Sequence, residues 1–174
     1  MHSEQVRILA VSGSLQPQSK NVGLLTVAAR IAPAGVEVVR FDGLRDLPHF
    51  NPDLEARGVP ESVVRWRQAL AASDAVLIAS PEYAFSLPGA LKNAIDWVIG
   101  SGELEGKVVG ITAAVLSPER GRRGLQALRD TLSAVRATIV GGEPTQIGFA
   151  FERQVAVLVE ALASTASERR RAPV

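Results

Sequence analysis

Hydrophobic residues along the chain fall into short continuous runs that alternate with segments of helical periodicity. The runs are typical of strands buried on both faces and lie near residues 6–11, 36–41, 75–79, 108–114 and 138–141. Helical patterns fall near residues 22–31, 61–72, 89–100, 122–136 and 152–165. Strands that alternate with helices in this way predict an α/β domain with a doubly wound parallel sheet.

Length and charge narrow the class of protein. A chain of 174 residues with 47% hydrophobic residues is expected to form a single domain, residues 1–174. The net charge of +1 favours neither nucleic acid nor an anionic membrane as a partner. The apolar runs are too short to span a membrane and none resembles a signal peptide, so we expect a cytoplasmic protein. The basic end, residues 166–174, is predicted to be a frayed, solvated tail.

Cysteine is absent from the sequence, which excludes disulfides, thiolate metal sites and thiol-based redox relays. The chain has two histidines, His2 and His49, which are too few for a histidine-rich metal centre. We therefore predict no metal site. Any electron transfer would have to use a bound cofactor.

A polar loop, residues 12–21, follows the first predicted strand. Gly13 permits a tight turn, Ser14 and Ser19 offer hydroxyl donors, and a helix begins near Val22. Unpaired N–H groups and the positive end of the dipole at such a helix start favour an anion, so the loop suits a phosphate. The alternative is an ordinary polar turn in which Ser19 or Asn21 caps the helix.

A second loop, residues 80–88, follows the third predicted strand. Ser80 and Pro81 end the strand, and Pro88 suits the first turn of the next helix. That helix carries an apolar stripe formed by Leu91, Ile95, Val98 and Ile99. The loop therefore lies at the carboxyl end of a parallel strand, where open α/β sheets bind their ligands.

Together the two segments resemble the NADPH-dependent FMN reductase family, which includes bacterial quinone, chromate and azo-dye reductases. In the first motif the matching residues are Gly13, Ser14, Leu15, Ser19 and Asn21. Gln16 stands where the family has arginine. The second motif matches from Pro81 to Trp97 except at Ala84, where the family usually has asparagine. Weaker similarity extends over about the first 140 residues.

The resemblance implies a flavodoxin-like fold with a five-stranded parallel sheet of order 2-1-3-4-5 and helices on both faces. Right-handed crossovers favour the same order. The first and third strands are then neighbours at the switch point of the sheet. Both motif loops are therefore expected to meet at one edge.

The resemblance also implies an FMN-dependent oxidoreductase that uses NADPH or NADH to reduce quinones, flavins, azo compounds or similar small-molecule oxidants. Because the cofactor carries the hydride transfer, no catalytic residue is assigned. Two alternatives remain open: an FMN-binding electron carrier or redox-sensing module, and a flavin-free relative that binds another phosphorylated ligand. Family members often form dimers or tetramers, so we expect a homodimer or a homotetramer.

By matching positions, the first loop provides the cofactor's phosphate site and the second loop contacts the ring and ribityl chain. The cofactor-binding residues implied in this way are Gly13, Ser14, Gln16, Ser19, Asn21, Pro81, Glu82, Tyr83, Ala84 and Ser117. For Glu82, a helix-dipole or loop hydrogen-bonding role is favoured over acid–base catalysis. Replacing the family's arginine with Gln16 removes a charge-assisted hydrogen bond and is expected to weaken FMN binding by about 10- to 150-fold.

Three further features have two interpretations each. The connection 42–60 is either functional or a cover for the sheet edge. Arg120, Arg122 and Arg123 either attract the phosphates of NADPH or remain solvated. The third feature is a set that we assign to helix packing or to subunit and interface contacts: Trp66, Asn93, Asp96 and Trp97.

Overall fold

A computed structural model describes residues 5–117 and 119–171 of the chain. Five parallel strands form the central sheet in the order β2-β1-β3-β4-β6. Their bounds are Val6–Ser12 (β1), Val36–Phe41 (β2), Ala75–Ala79 (β3), Val108–Thr112 (β4) and Thr138–Gly141 (β6). This is the predicted order, because β6 is the fifth strand of the sheet and the intervening β5 lies outside it.

Strands β3 and β4 are buried at every position, as their continuous apolar runs predict. Both lie inside the sheet, where each parallel strand has a hydrogen-bonded neighbour on either side. The outer strands β2 and β6 are only half-buried along most of their length. Burial therefore falls from the centre of the sheet toward its edges.

The α-helices of the described residues lie on the two faces of the sheet and, in one case, in the connection between β2 and β3. Their bounds are Lys20–Ile31 (α1), Pro52–Arg57 (α2), Glu61–Ala71 (α3), Gly89–Asp96 (α4), Arg122–Ala134 (α5) and Phe151–Arg171 (α6). Helices α1 and α6 pack on one face, and α3, α4 and α5 pack on the other with the buried indoles of Trp66 and Trp97. Within residues 5–117 and 119–171, no helix is long and apolar enough to cross a membrane.

The last helix extends further than the sequence pattern indicates. Helix α6 continues to Arg171, and Ala163 and Ala166 remain buried against the sheet. The prediction of a frayed end was wrong for residues 166–171, which are helical, with Ala166 buried and the Arg170 guanidinium paired with Asp74. Residues 168–171 are exposed, in agreement with the predicted solvation. Residues 172–174 lie outside the described part of the chain. Helix α4, by contrast, ends at Asp96 instead of residue 100, which leaves Ile99 exposed.

A small second sheet adds to the predicted fold. Strand β5, Ala114–Val115, pairs in parallel with β7, Thr145–Gln146. The fourth strand was predicted to run to residue 114, whereas the main strand ends at Thr112. The chain then continues into this two-stranded extension at the carboxyl edge of the sheet.

The connection 42–60 is ordered rather than irregular. It contains a 3₁₀ turn, Gly43–Asp46, and helix α2, and it buries Leu44 and Leu47 in the core. The carbonyl oxygen of Pro48 accepts hydrogen bonds from Asn93 Nδ2 at 2.9 Å and from Trp97 Nε1 at 2.7 Å. These contacts confirm the helix-packing interpretation of Asn93 and Trp97, and they support the covering role of the connection.

Candidate functional site

The two motif loops meet at the carboxyl edge of the sheet. The Gly13 N–H donates to the carbonyl oxygen of Ala79 at 2.9 Å, and the Ser80 N–H donates to that of Thr112 at 2.9 Å. These bonds continue the pairing of β1, β3 and β4 past the ends of the strands. The loops after these three strands therefore lie side by side, as predicted for the first two.

Contact between the loops explains the glycine at the start of the first motif. A Cβ atom placed on Gly13 would lie 2.7 Å from Ser80 Oγ and 3.2 Å from Ser80 Cα. Both distances are shorter than ordinary van der Waals contact. Gly13 is thus needed for the close approach of the two loops.

Hydroxyl groups shape the first loop from within. Ser14 Oγ accepts a hydrogen bond from the Gln16 N–H, and Ser19 Oγ accepts one from the Asn21 N–H, both at 3.2 Å. Ser19 is the N-cap of α1, so the capping interpretation is correct for this residue. Each hydroxyl still has its own hydrogen to donate, and the first turn of α1 adds unpaired N–H groups. This set of donors fits a phosphate group.

Asn21 and Gln16 lie in different surroundings from one another. Asn21 is only 4% exposed, and its Oδ1 accepts a hydrogen bond from the Ala114 N–H at 2.9 Å. Its carbonyl group therefore joins the first loop to β5, and only its Nδ2 group is left to serve an anion. Gln16 is exposed and lines a recess of about 160 Å³ together with Arg40 and Asp42.

The second loop forms a tight hairpin at its tip. Tyr83 and Ser86 exchange backbone hydrogen bonds of 3.0 and 2.9 Å, and the two residues between them have positive φ angles: 49° at Ala84 and 62° at Phe85. Asparagine tolerates this left-handed conformation better than alanine does. The asparagine that the family has at position 84 therefore suits the turn, and Ala84 adopts the same region at a cost.

Glu82 connects the second loop to helix α5. Its Oε2 accepts a hydrogen bond at 2.9 Å from the N–H of Gly124, in the first turn of that helix. A Cβ on Gly124 would lie 2.9 Å from Glu82 Cβ, so glycine is required for the contact. The carboxylate thus caps a helix N-terminus, which confirms the structural interpretation of Glu82.

A cleft of about 530 Å³ opens between the second loop and the loop before α5. Its lining residues are Lys20, Pro81, Glu82, Phe85, Ala113, Ala114, Val115, Leu116, Glu119, Arg120, Gly121 and Arg123. The side chains of Phe85 and Leu116 are 67% and 63% exposed, so the cleft has apolar walls that face solvent. The cleft also contains five charged residues, and a cleft that combines apolar walls with convergent polar groups is typical of a small-molecule or cofactor site.

The three arginines near α5 have different environments. The Arg123 guanidinium lies 4.2 Å from the centroid of the Phe85 ring, in a cation–π contact at the cleft. Arg120 also lines the cleft, whereas Arg122 pairs with Glu143 at 3.0 Å outside it. The sequence grouped the three together, but the structure places two of them at the cleft.

Ser117 is engaged within its own loop. Its hydroxyl donates to the carboxylate of Glu119, and this hydrogen bond lowers the pKa of Glu119 below its ordinary value. If Ser117 contacts the cofactor as predicted, the cofactor and the Glu119 carboxylate compete for its hydroxyl hydrogen. Pro118, between the two residues, lies outside the described part of the chain.

Sequence reasoning missed Arg45, which contacts the first loop from outside both motifs. Arg45, in the 3₁₀ turn after β2, donates from Nη2 to the carbonyl oxygen of Leu15 at 2.9 Å. Arg45 lies outside both motifs and no local pattern marks it. Only the pairing of β2 with β1 brings the two segments together.

Comparison with known proteins agrees with this geometry. Residues 6–152 match the family described as NADPH-dependent FMN reductase. An NAD(P)H-dependent FMN reductase of Pseudomonas aeruginosa is 39% identical over 122 residues, which cover 70% of this chain and 64% of that relative, just under two thirds of its length. A quinone reductase of Escherichia coli is 31% identical over 156 residues, 88% of this chain and 82% of the relative.

A solved structure supports the same relationship. The flavoenzyme NAD(P)H:(acceptor) oxidoreductase from Paracoccus denitrificans is 26% identical and superposes with a TM-score of 0.82. The match covers 94% of this chain and 98% of that one. With its two motif loops in contact at the carboxyl edge of a five-stranded parallel sheet, the chain belongs to the NADPH-dependent FMN reductase family.

Proposed function

We propose that the protein is an FMN-dependent oxidoreductase that uses NADPH or NADH to reduce quinones, flavins, azo compounds or similar small-molecule oxidants. The observation that carries the proposal is the contact between the two motif loops at Gly13 and Ser80. It brings a donor set suited to phosphate next to a cleft with apolar walls. The names of the relatives, an FMN reductase and quinone reductases, support the same activity.

In this proposal, the first loop holds the cofactor's phosphate. The hydroxyl groups of Ser14 and Ser19, the Asn21 Nδ2 group and the N–H groups at the start of α1 are the donors, while Gln16 contributes no charge. The backbone of residues 81–84 contacts the ring and the ribityl chain. Bound FMN would supply the two-electron chemistry, which is hydride transfer from reduced nicotinamide and reduction of the oxidant.

The rest of the site binds and orients. Phe85 and Leu116 provide exposed apolar surface on which flat substrates can pack, and burial of that surface excludes water. Arg120 and Arg123 place positive charge at the cleft, where it favours the phosphates of a nicotinamide dinucleotide. The bond between Glu82 and Gly124 joins the two walls of the cleft. We assign no acid–base catalysis to Glu82, because its carboxylate caps helix α5.

We also propose that residues 1–174 fold as one domain, that the enzyme is cytoplasmic, and that it associates as a homodimer or homotetramer. Association would cover Ile99, an apolar residue that follows α4 with 58% of its surface exposed. Light scattering at micromolar concentration tests this part. A single monomeric species would contradict it.

One experiment separates the proposed function from its two alternatives. The purified protein is titrated with FMN while its visible spectrum is recorded, and oxidation of NADPH and of NADH is then followed with a quinone. We expect FMN to bind and turnover to require both nicotinamide and quinone. Binding without turnover would support an electron carrier, and absence of FMN binding would reject both redox functions.

A further inference from the structure

The 3₁₀ turn Gly43–Asp46 places a guanidinium group on the first motif loop. Arg45 Nη2 donates to the carbonyl oxygen of Leu15 at 2.9 Å, across thirty residues of sequence. Leu15 is in the middle of the loop and is followed directly by Gln16. The guanidinium therefore contacts the loop one residue away from the position at which the family has an arginine.

The base of Arg45 is well anchored. Its neighbour Leu44 and the nearby Leu47 are buried in the core, at 4% and 8% exposure. Gly43 packs so closely on the Phe41 ring that a Cβ atom would lie 2.8 Å from its Cζ. These contacts hold the backbone of the turn, and therefore the Cα atom of Arg45, in place. When Arg45 binds an anion, the entropy lost is therefore mainly that of its own side-chain rotamers.

Arg45 and the nearby Arg40 differ in whether their guanidinium group lies beside a carboxylate. Arg40 lines the recess beside Gln16, but its Nε lies 2.7 Å from the carboxylate of Asp42, so an anion that approaches Arg40 also meets that negative charge. Arg45 donates to a neutral carbonyl group instead. A guanidinium has five N–H donors, and a bond to one carbonyl leaves the others available to an anion.

We propose that Arg45 is the phosphate-loop cation of this protein. It positions the loop through the Leu15 carbonyl group and supplies, from a separate segment, the positive charge that position 16 lacks. This inference rests on the proposed function, because it concerns the phosphate of the same flavin nucleotide. Lys20, at the start of α1, is the rival source of charge, but it lines the larger cleft beside Arg120 and Arg123.

The test compares FMN with riboflavin, which has the same ring and ribityl chain but no phosphate. Dissociation constants of both flavins are measured by quenching of flavin fluorescence for the wild type and for Arg45→Ala. We expect Arg45→Ala to weaken FMN binding by about 10-fold, the value of one charge-assisted hydrogen bond at an exposed site. Riboflavin binding should stay within about 2-fold of the wild type, since its phosphate-free chain does not sense the charge.

The Gln16→Arg variant, used as a second parent protein, tests whether the side chains at positions 45 and 16 bind the same phosphate. Gln16→Arg should tighten FMN binding, and in that background the loss caused by Arg45→Ala should fall to about 3-fold or less, because contacts that share one partner are not additive. Arg45→Lys, which keeps the charge, should recover part of the FMN affinity. It should also retain the dependence of FMN binding on salt concentration that Arg45→Ala reduces.

The control variant is Arg65→Ala, which removes an exposed arginine whose contact is an ion pair with Glu61 in the same helix. It should leave the affinities for both flavins unchanged. Urea unfolding of all variants checks that Arg45→Ala is folded and has the same unfolding midpoint as Arg65→Ala, as expected for two surface substitutions.

Three results would overturn the inference while leaving the proposed function in place. They are an unchanged FMN affinity in Arg45→Ala, an equal loss of FMN and riboflavin binding, and a loss of the FMN preference in Lys20→Ala but not in Arg45→Ala. Failure of the wild-type protein to bind either flavin would reject the proposed function and this inference together.

Discussion

Substitution of Gly13 by alanine tests the contact on which the site depends. The φ angle of Gly13 lies outside the left-handed region, so alanine causes no backbone strain there. The new Cβ would instead lie 2.7 Å from Ser80 Oγ, 3.1 Å from Ser80 Cβ and 3.2 Å from Ser80 Cα. Rotation of the hydroxyl can relieve the first contact, but the last involves backbone, so the two loops must move apart.

The expected magnitude follows from two opposing terms. Inserting a methyl group into a packed contact costs about 1–3 kcal/mol. Replacing glycine with alanine also reduces the entropy of the unfolded chain, which raises the free energy of unfolding by about 0.4–1 kcal/mol. The net loss in the free energy of unfolding should therefore lie between about 0 and 2.6 kcal/mol, with a central value of about 1 kcal/mol. FMN binding should weaken by about 10-fold, because the phosphate and ring sites no longer keep their spacing.

The assay is urea unfolding together with an FMN titration, and Gly23→Ala is the matched control. Gly23 lies within α1 and has no heavy atom within 4 Å of an added Cβ. That variant should gain about 0.5–1 kcal/mol from the better helix propensity of alanine. If Gly13→Ala and Gly23→Ala have the same stability and the same FMN affinity, the loops are not in contact and the reasoning fails.

A second substitution locates the clash. Ser80→Ala removes Oγ but leaves Cβ and Cα, so it should restore only part of what Gly13→Ala loses. Ser80→Gly removes Cβ as well and should restore more. Because Ser80 Oγ also donates to the Pro81 carbonyl oxygen, each Ser80 variant is measured alone as well as in the double mutant.

Three further predictions concern single residues. Ala84→Gly should raise the free energy of unfolding by about 0.5–1 kcal/mol in urea, because glycine adopts the positive φ of the hairpin without strain; an unchanged midpoint would contradict this. Glu82→Ala should lower the free energy of unfolding by about 1 kcal/mol through loss of the helix cap, and equal stability of the variant would show that the bond to Gly124 contributes nothing. Burial lowers the pKa of Lys107 from its ordinary value of 10.5, with Asp74 opposing the shift. The unfolded chain then binds more protons than the native one just below pH 10.5, so stability should rise with pH there, and NMR titration of the Lys107 Nζ at the ordinary value would refute it.

Local pattern in the sequence predicted the five strands of the main sheet and the two motif loops, whereas the strand order came from right-handed crossovers and the family resemblance. Continuous apolar runs mark buried parallel strands, and the alternation with helices determines the doubly wound arrangement. The motif residues from Pro81 to Trp97 are contiguous in sequence, so their resemblance to the family motif could be recognised without any knowledge of tertiary contacts. Residue periodicity also predicted the five longer helices, but neither the short α2 nor the face on which each helix packs.

Contacts between distant segments required the tertiary structure. Asn21 bonds to the backbone of Ala114, Glu82 caps the helix that contains Gly124, and the Arg45 side chain reaches the first loop. The sequence could not separate Arg122 from Arg123, or show that α6 continues to residue 171. Periodicity reports which face of an element is apolar, but a hydrogen bond or ion pair depends on which elements the fold brings within 3 Å of each other.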